Sequence, residues 1–152
     1  MMLVRPYTPA DREACLRVFD SNVPKYFAAA EREDYQAFLN DLPGPYLVIT
    51  DEASVVLACG GYAVEPAERR ADLCWGMVRQ GHHREGIGTL LLRERLTRVR
   101  EEPGVDAVHL DTGQHTRIYY ERAGFRVLRE IRDGYVPGYH RYDMRLEWAN
   151  TP

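Results

Sequence analysis

The chain has 152 residues, of which 45% are hydrophobic and 28% are charged, and this balance predicts one globular domain over residues 1–152. A chain of this length buries about 68–70% of its unfolded surface, so its core needs neither a metal nor a disulfide to fold. The formal net charge is −3 and the two signs are interspersed, which argues against a nucleic-acid partner.

The N-terminal stretch reaches proline and charge within a few residues, and no long apolar run follows it. We therefore expect neither a signal peptide nor a membrane-spanning segment. Three cysteines, Cys15, Cys59 and Cys74, lack C-x-x-C spacing and lie in apolar surroundings. This pattern predicts buried free thiols and a reducing, cytoplasmic location.

In chain order, the first half of the sequence predicts one strand, two helices and then three strands. The first helix opens at Pro9, and the second ends before the Pro43-Gly44-Pro45 breaker. The three strands that follow are separated by short polar turns, which favours an antiparallel meander. The predicted segments are residues 2–6 (strand), 9–22 and 31–42 (helices), and 45–50, 54–64 and 71–78 (strands).

The second half contains the clearest helix, residues 86–102, with Leu92, Leu96 and Val99 at helical spacing. A strand over 105–112, a short helix over 115–124 and two terminal strands over 125–133 and 139–148 follow. The order β-α-α-β-β-β-α-β-α-β-β predicts an α/β (α+β) domain without internal repeats.

The loop over residues 78–89 lies between a strand end and a helix start. Unpaired amides at a helix N-terminus can hold a phosphate, and Gly86 and Gly88 let a ligand approach the backbone closely. His83 and Arg84 add polar donors. A tight turn without a ligand is the plain alternative. A dinucleotide fold is disfavoured because Leu91 occupies the third glycine position and no parallel βαβ unit precedes the loop.

Two segments carry a family resemblance. His83-Arg84-Glu85-Gly86-Ile87-Gly88 resembles the acetyl-CoA loop R/Q-x-x-G-x-G/A of the GNAT acetyltransferases, although His83 replaces the arginine or glutamine. Tyr119–Phe125 resembles the Y-E-x-x-G-F segment of the same family. The resemblance implies the GNAT acyl-CoA acyltransferase fold, a central mixed, mostly antiparallel sheet of about seven strands flanked by about four helices. It also implies transfer of an acetyl group from acetyl-CoA to a primary amine of a small molecule or peptide.

The resemblance also implies how acetyl-CoA would be bound. The amides of residues 84–89 would hold the pyrophosphate. The cofactor-binding residues of the loop would be His83, Arg84, Glu85, Gly86, Ile87, Gly88 and Thr89. Met77 and Val78 would pair with pantetheine along the strand edge. The amide of Gly76 would stabilise the carbonyl oxygen, and a glycine within a strand also predicts a bulge. Gln114 and Thr112 would contact pantetheine or the acceptor, with ordinary capping as the alternative.

For proton transfer, Tyr120 is the implied general acid, because a phenol with a pKa of about 10 is protonated at neutral pH. Tyr119 is the alternative, but adjacent helical residues point about 100° apart and only one can face the sulfur. Asp72 lies where histone-acetylating relatives carry a glutamate on the fourth strand, so the resemblance implies that Asp72 is a candidate general base. A water chain or bulk solvent is the alternative base.

Acceptor selection would fall to the first two helices and the last hairpin. The candidates are Tyr26, Phe27, Tyr35, Tyr135 and Tyr139 for an aromatic lining and Glu31, Glu33, Asp34 and Asp133 for charge, with helix aromatics such as Tyr35 and Phe38 more simply explained as core. We expect no metal, because the histidines lack ligand spacing. A non-catalytic acyl-CoA sensor is the alternative function, and a homodimer stays open.

Overall fold

A seven-stranded sheet forms the centre of the molecule in the computed structural model, which describes residues 1–83 and 85–148. The spatial order is β1-β2-β3-β4-β5-β7-β6, and all neighbouring pairs are antiparallel except β4–β5. The strands are β1 (Leu3–Pro6), β2 (Tyr46–Thr50), β3 (Val56–Glu65), β4 (Arg70–Val78), β5 (Ala107–Thr112), β6 (Arg126–Val136) and β7 (Tyr139–Glu147). The predicted mixed, mostly antiparallel sheet is confirmed.

Four α-helices flank the sheet: α1 (Arg12–Ser21), α2 (Arg32–Asn40), α3 (Ile87–Arg100) and α4 (Arg117–Arg122). The predicted first helix begins later than expected, because Pro9–Asp11 forms a 3-10 turn in which the Asp11 carboxylate accepts the Thr8 amide at 2.8 Å. Within residues 1–83 and 85–148, each helix is too short or too polar to cross a bilayer.

The core has two layers, one on each face of the sheet. On one face, α1 and α2 pack Phe19 and Tyr35, both fully buried, against β2 and β3. On the other face, α3 and α4 cover β4, β5 and β7, with Val99 and Val108 inaccessible to solvent. Helices therefore cover the middle of the sheet on both faces, whereas the edge strand β6 is largely exposed, and a separation of two strands gives a ligand access to the middle of the sheet.

That separation occurs between β4 and β5. The two strands pair only through Arg70–Asp72 of β4 and Ala107–His109 of β5, after which β4 runs on to Val78 beside β3 alone. The edge of β4 that faces β5 is consequently open at the carboxyl end, where α3 begins. This is the position at which sheets with crossover helices commonly bind ligands.

Candidate active site

An open cleft of about 1340 Å³ extends from the start of α3 through the β4–β5 gap to residues of α2 and the segment before it. It brings together Asp72, Gly76, Met77, Val78, His83, Gly86, Gly88, Thr89 and Tyr120 from the predicted site. The predicted residues Glu85, Ile87 and Gln114 do not line it, and Arg84 lies outside the described residues. Ile87 is 2% exposed, so only its backbone is a candidate for ligand contact.

The N-terminus of α3 presents free amides to this cleft. Gly86 stands at the N-cap with φ of 80°, and no side chain caps the amides that follow it. The first helical bond runs from the Leu90 amide to the Gly86 carbonyl at 3.0 Å, which leaves the amides of residues 86–89 without helical partners. These free donors and the positive end of the helix dipole could hold an anion, and phosphate binding at this loop stays a prediction.

His83 does not point freely toward these amides. Its Nε2 donates to the Val78 carbonyl at 2.9 Å, and its ring packs edge-on against Tyr26 at 5.0 Å between centroids. The imidazole therefore fastens the loop to the end of β4. His83 contributes to the predicted site by shaping the loop, and a phosphate contact would have to come from its other nitrogen.

The Val78 carbonyl is fully used within the chain. It accepts the His83 Nε2 and also the Asn22 Nδ2, each at 2.9 Å, and a carbonyl oxygen has two lone pairs. The prediction of a pantetheine contact at Val78 therefore narrows to its amide. Met77 is 6% exposed and lines the cleft, but the bond from the Arg79 amide to the Leu57 carbonyl makes Met77 and Cys59 a hydrogen-bonded pair. The backbone groups of Met77 therefore point toward β3 and away from the open edge.

A β-bulge interrupts β4 at Trp75 and Gly76, as the glycine predicted. Cys59 pairs with Met77 and Gly61 pairs with Cys74, so two residues of β4 oppose Gly60 alone. Trp75 has φ of 41°, a conformation that costs a non-glycine residue about 1–3 kcal/mol.

Contacts on the α1–α2 face hold this conformation in place. The Trp75 ring packs against four aromatic rings, the nearest being Tyr35 at 5.0 Å between centroids. The Trp75 carbonyl accepts the Tyr46 hydroxyl at 2.9 Å. The bulge turns β4 away from β5 and exposes Gly76 to the cleft.

Both tyrosines of α4 reach the cleft, in different environments. Tyr120 packs edge-on against Phe125, with 5.7 Å between ring centroids, and adjoins the core beneath α4. The Tyr119 hydroxyl lies over the start of α3, 3.8 Å from where a methyl group on Gly88 would stand, and burial raises its pKa. Tyr119 therefore lies beside the free amides of α3, while Tyr120 remains the predicted acid.

Asp72 lines the cleft but is not a free carboxylate. Arg70 donates its Nε to Asp72 Oδ1 at 2.9 Å, and His109 stands beside Asp72 in register on β5. The His109 Nε2 accepts from Arg145 Nη1 at 2.7 Å, and burial together with the nearby arginines lowers the His109 pKa. The base role of Asp72 stays a prediction, and Arg70 already occupies one of its carboxylate oxygens.

Gln114 serves the last hairpin. Its Nε2 donates to the Gly138 carbonyl and its Oε1 accepts the His140 amide, both at 2.9 Å. Thr112 shares a short hydrogen bond with the Thr116 hydroxyl at the start of α4. Both polar ends of the Gln114 amide are thus occupied within the chain, which is the capping alternative rather than a free ligand contact.

The acceptor side of the cleft combines aromatic rings with carboxylates. Its wall includes Phe27, Phe38 and Trp75 together with Glu31 and Asp34. Glu31 is 9% exposed, its Oε2 accepts the Ala28 amide at 2.8 Å, and burial raises its pKa. Tyr35 is fully buried in the core, as the alternative for the helix aromatics predicts, and Glu33 does not line the cleft.

The hairpin between β6 and β7 closes this side. Tyr135 donates to Asp111 Oδ1 at 2.5 Å on the cleft wall, and burial raises the Tyr135 pKa. Tyr139 donates to the Pro24 carbonyl at 2.5 Å and joins the hairpin to the loop after α1. Asp133 caps the hairpin turn by accepting the Gly138 amide at 2.7 Å. Tyr139 and Asp133 therefore build the wall and do not line it.

Asn22 and Arg95 are among the polar residues of the site that the sequence analysis did not single out. Asn22 joins the end of α1 to β4 through Val78. Arg95 lies on the buried face of α3 and lines the cleft behind Gly76. A signal for Arg95 was present, because it interrupts an apolar stripe formed by Ile87, Leu91 and Val99 at four-residue spacing.

The described residues hold no group of three or more histidine, cysteine or acidic side chains arranged for a metal ion. All three cysteines are free thiols. Cys74 faces the cleft, and burial beside Asp72 raises its pKa to about 11, so it is a protonated thiol at neutral pH.

Similar folds occur among solved structures. A GNAT-family protein from Desulfovibrio desulfuricans is 25% identical, with a TM-score of 0.82 over 98% of this chain and 100% of that chain. The ribosomal-protein-S18-alanine N-acetyltransferase from Escherichia coli is 16% identical, with a TM-score of 0.80 over 100% and 97%. An aminoglycoside 6'-N-acetyltransferase complexed with coenzyme A is 12% identical, with a TM-score of 0.77 over 99% of each chain.

No curated protein matches this chain in sequence. The model of the acetyltransferase (GNAT) family matches residues 15–125, which run from α1 to the residue before β6 and include the loop, the open edge of β4 and both tyrosines of α4. This match covers well over half of the chain, and the sheet order agrees with the fold that the two sequence motifs implied. The chain therefore belongs to the GNAT family of acetyltransferases.

Proposed function

We propose that this protein transfers the acetyl group of acetyl-CoA to a primary amine by direct attack within a ternary complex. One observation carries the proposal: the unpaired amides of residues 86–89 open into the same cleft as Tyr120 and the gap between β4 and β5. A diphosphate at these amides would leave the rest of acetyl-CoA to lie along the open edge of β4.

The residues present fit acetyl-CoA as cosubstrate. Gly86 and Gly88 leave the backbone accessible, and a methyl group on Gly86 would meet no atom within 4 Å. Pantetheine is a peptide-like arm, and the unpaired edge of β4 at the Val78 amide offers strand-type hydrogen bonds to it. When bound, acetyl-CoA supplies the activated thioester, and the protein supplies position, charge and proton transfer.

Three residues of the cleft receive a proposed role in the transfer. The Gly76 amide, on the bulge, is the proposed donor to the carbonyl oxygen, and Tyr120 is the proposed acid for the departing thiolate. Asp72 or water receives the proton that leaves the amine. Direct transfer suits this set, because Cys74, the thiol on the cleft wall, is protonated at neutral pH and forms a poor nucleophile.

The acceptor is proposed to carry its amine on an uncharged or cationic group that fits between aromatic rings. Glu31 and Asp34 would attract an ammonium, and Phe27, Phe38 and Trp75 would cover its apolar part or pair with its charge. Two of the structural relatives are N-acetyltransferases of ribosomal-protein-S18 alanine and of an aminoglycoside, which supports an amine acceptor. Free thiols at all three cysteines support a cytoplasmic location.

The test has two stages. Calorimetry with CoA and acetyl-CoA measures binding, and free-thiol release in the presence of an amine panel measures transfer. Amine-dependent release supports the proposal. Tight binding of acetyl-CoA without release for any amine would identify the alternative, a non-catalytic acyl-CoA sensor, and absence of binding would refute both.

A further inference from the structure

Arg95 is a buried cation on the side of α3 that faces the sheet. It occupies the stripe formed by Ile87, Leu91 and Val99, and its relative exposure is 2%. Arginine remains charged in proteins, and burial of a charge is costly unless hydrogen bonds or an opposite charge compensate it. An arginine in an apolar stripe therefore requires a partner.

Two glycines make room for its guanidinium. A methyl group on Gly76 would lie 2.7 Å from Nη2 and 2.9 Å from Nη1 of Arg95. A methyl group on Gly60, opposite the bulge on β3, would lie 3.3 Å from Cζ. The guanidinium thus lies against the bare backbone of β3 and β4, directly behind the bulge that opens the cleft.

The described residues give the Arg95 guanidinium few hydrogen bonds. Within residues 1–83 and 85–148, its one hydrogen bond runs from Nη1 to the Gly61 carbonyl at 3.5 Å, and Nε is buried without a partner. The neighbouring Arg98 pairs with Glu94, whereas the described chain offers Arg95 no carboxylate. Arg95 nevertheless contributes to the wall of the cleft beside Gly76 and Leu91.

The location of Arg95 narrows the kind of ligand. Arg95 lies nine residues beyond Gly86 along α3, a rise of about 13 Å. The amides proposed for the pyrophosphate and the guanidinium would therefore contact different parts of one ligand. The positive charge of the guanidinium would repel a cationic amine, so the group that Arg95 contacts is not the ammonium of an acceptor. The contact with Gly76, the proposed donor to the thioester oxygen, associates Arg95 with the acyl end of the cosubstrate.

We propose that Arg95 binds a carboxylate at the far end of the acyl group, so that the enzyme accepts dicarboxylic acyl-CoA donors, such as malonyl-CoA or succinyl-CoA, in addition to acetyl-CoA. This inference rests on the proposed function. In the transfer, the C–N bond forms as the C–S bond breaks, one proton leaves the amine for Asp72 or water, and one reaches the CoA sulfur from Tyr120. The distal carboxylate is unchanged throughout.

Calorimetry with matched acyl-CoA pairs tests this specificity on the intact protein. Malonyl-CoA is compared with isovaleryl-CoA, in which an isopropyl group replaces the planar carboxylate, and succinyl-CoA is compared with butyryl-CoA. We expect the wild type to bind at least one carboxylate member about tenfold or more tightly than its neutral partner, because the charge is paired in a low-dielectric site. Arg95→Met should abolish that ratio, and Arg93→Met, at an exposed position of the same helix, should leave it unchanged.

CoA itself separates the two levels of the proposal. If CoA does not bind the wild type, the proposed function fails and this inference with it. If CoA binds but neither pair shows a carboxylate preference in the wild type, the inference alone is overturned, and this result does not depend on any variant folding. A thermal melt shows whether Arg95→Met is folded. If the folded variant keeps the carboxylate preference of the wild type, Arg95 serves packing only, and its role in donor choice is refuted.

Discussion

Replacement of Gly88 by alanine should raise the stability of the protein and weaken its binding of CoA. Gly88 lies in the first turn of α3, and its added methyl group would meet Val78 Cγ2 at 3.6 Å and the Tyr119 hydroxyl at 3.8 Å, both ordinary contacts. The folded backbone therefore accepts alanine, which is more favourable than glycine in a helix by about 0.5–1 kcal/mol. For a domain of this size, the melting temperature should rise by about 1–4 °C.

The same methyl group would project into the cleft at the proposed diphosphate position. We expect the dissociation constant for CoA to increase by about tenfold or more, which corresponds to about 1.4 kcal/mol. Calorimetry gives the affinity, and thermal or urea unfolding of the unliganded protein gives the stability. Opposite signs for the two effects would separate loss of the ligand site from damage to the fold.

Gly104 provides a matched control. It also lies beside α3, at the other end, with φ of 77° and no atom nearer than 4.0 Å to an added methyl group. Gly104→Ala should lose about 1–2 kcal/mol of stability because of the left-handed conformation and should bind CoA normally. Wild-type affinity in Gly88→Ala would refute the reasoning, because the diphosphate would then lie elsewhere.

Three further predictions concern catalysis, the bulge and pH. Tyr120→Phe should lower kcat roughly hundredfold or more with little change in CoA affinity, and equal losses in both would withdraw the acid role. Tyr46→Phe removes the hydroxyl that the Trp75 carbonyl accepts and should cost about 1–3 kcal/mol in urea unfolding; a change near zero would show that the bulge does not need it. Hydrogen bonds from Arg5 hold the pKa of Asp11 below its usual value near 3.8. That stabilisation is present above the unfolded pKa and is lost as pH falls through the lower folded pKa, so the deficit of Asp11→Asn should be largest near neutrality and shrink as the pH falls below the usual value of 3.8; a pH-independent deficit would contradict this.

The loop before α3 illustrates what the sequence could predict. Gly86 and Gly88 follow a strand and open a helix, and this local arrangement produces unpaired amides whatever the rest of the chain does. The order of strands and helices was predictable for the same reason, because apolar spacing, proline and glycine act over a few residues. Two separate motifs in the correct order then identified the family.

The side-chain partners of the loop were not predictable in this way. His83 was expected beside a phosphate and instead bonds the Val78 carbonyl, which Asn22 also bonds from α1. For Gln114 the sequence left two alternatives open, a contact with pantetheine or the acceptor and ordinary capping, and its amide bonds the last hairpin. A polar side chain takes whichever partner the packed structure brings within hydrogen-bond distance, and those partners come from other elements of the chain.

Apolar periodicity and the placement of proline and glycine thus predicted the element order and the position of the loop amides, and the resemblance of two motifs indicated the family. The tertiary structure alone decided that β4 leaves β5 after Asp72, that Trp75 is held in a left-handed conformation, and that Arg95 lies in a glycine-lined space behind the bulge. The physical reason is the separation in sequence over which each effect acts. Backbone propensities act between near neighbours, whereas burial of a charge and separation of two strands depend on residues tens of positions apart.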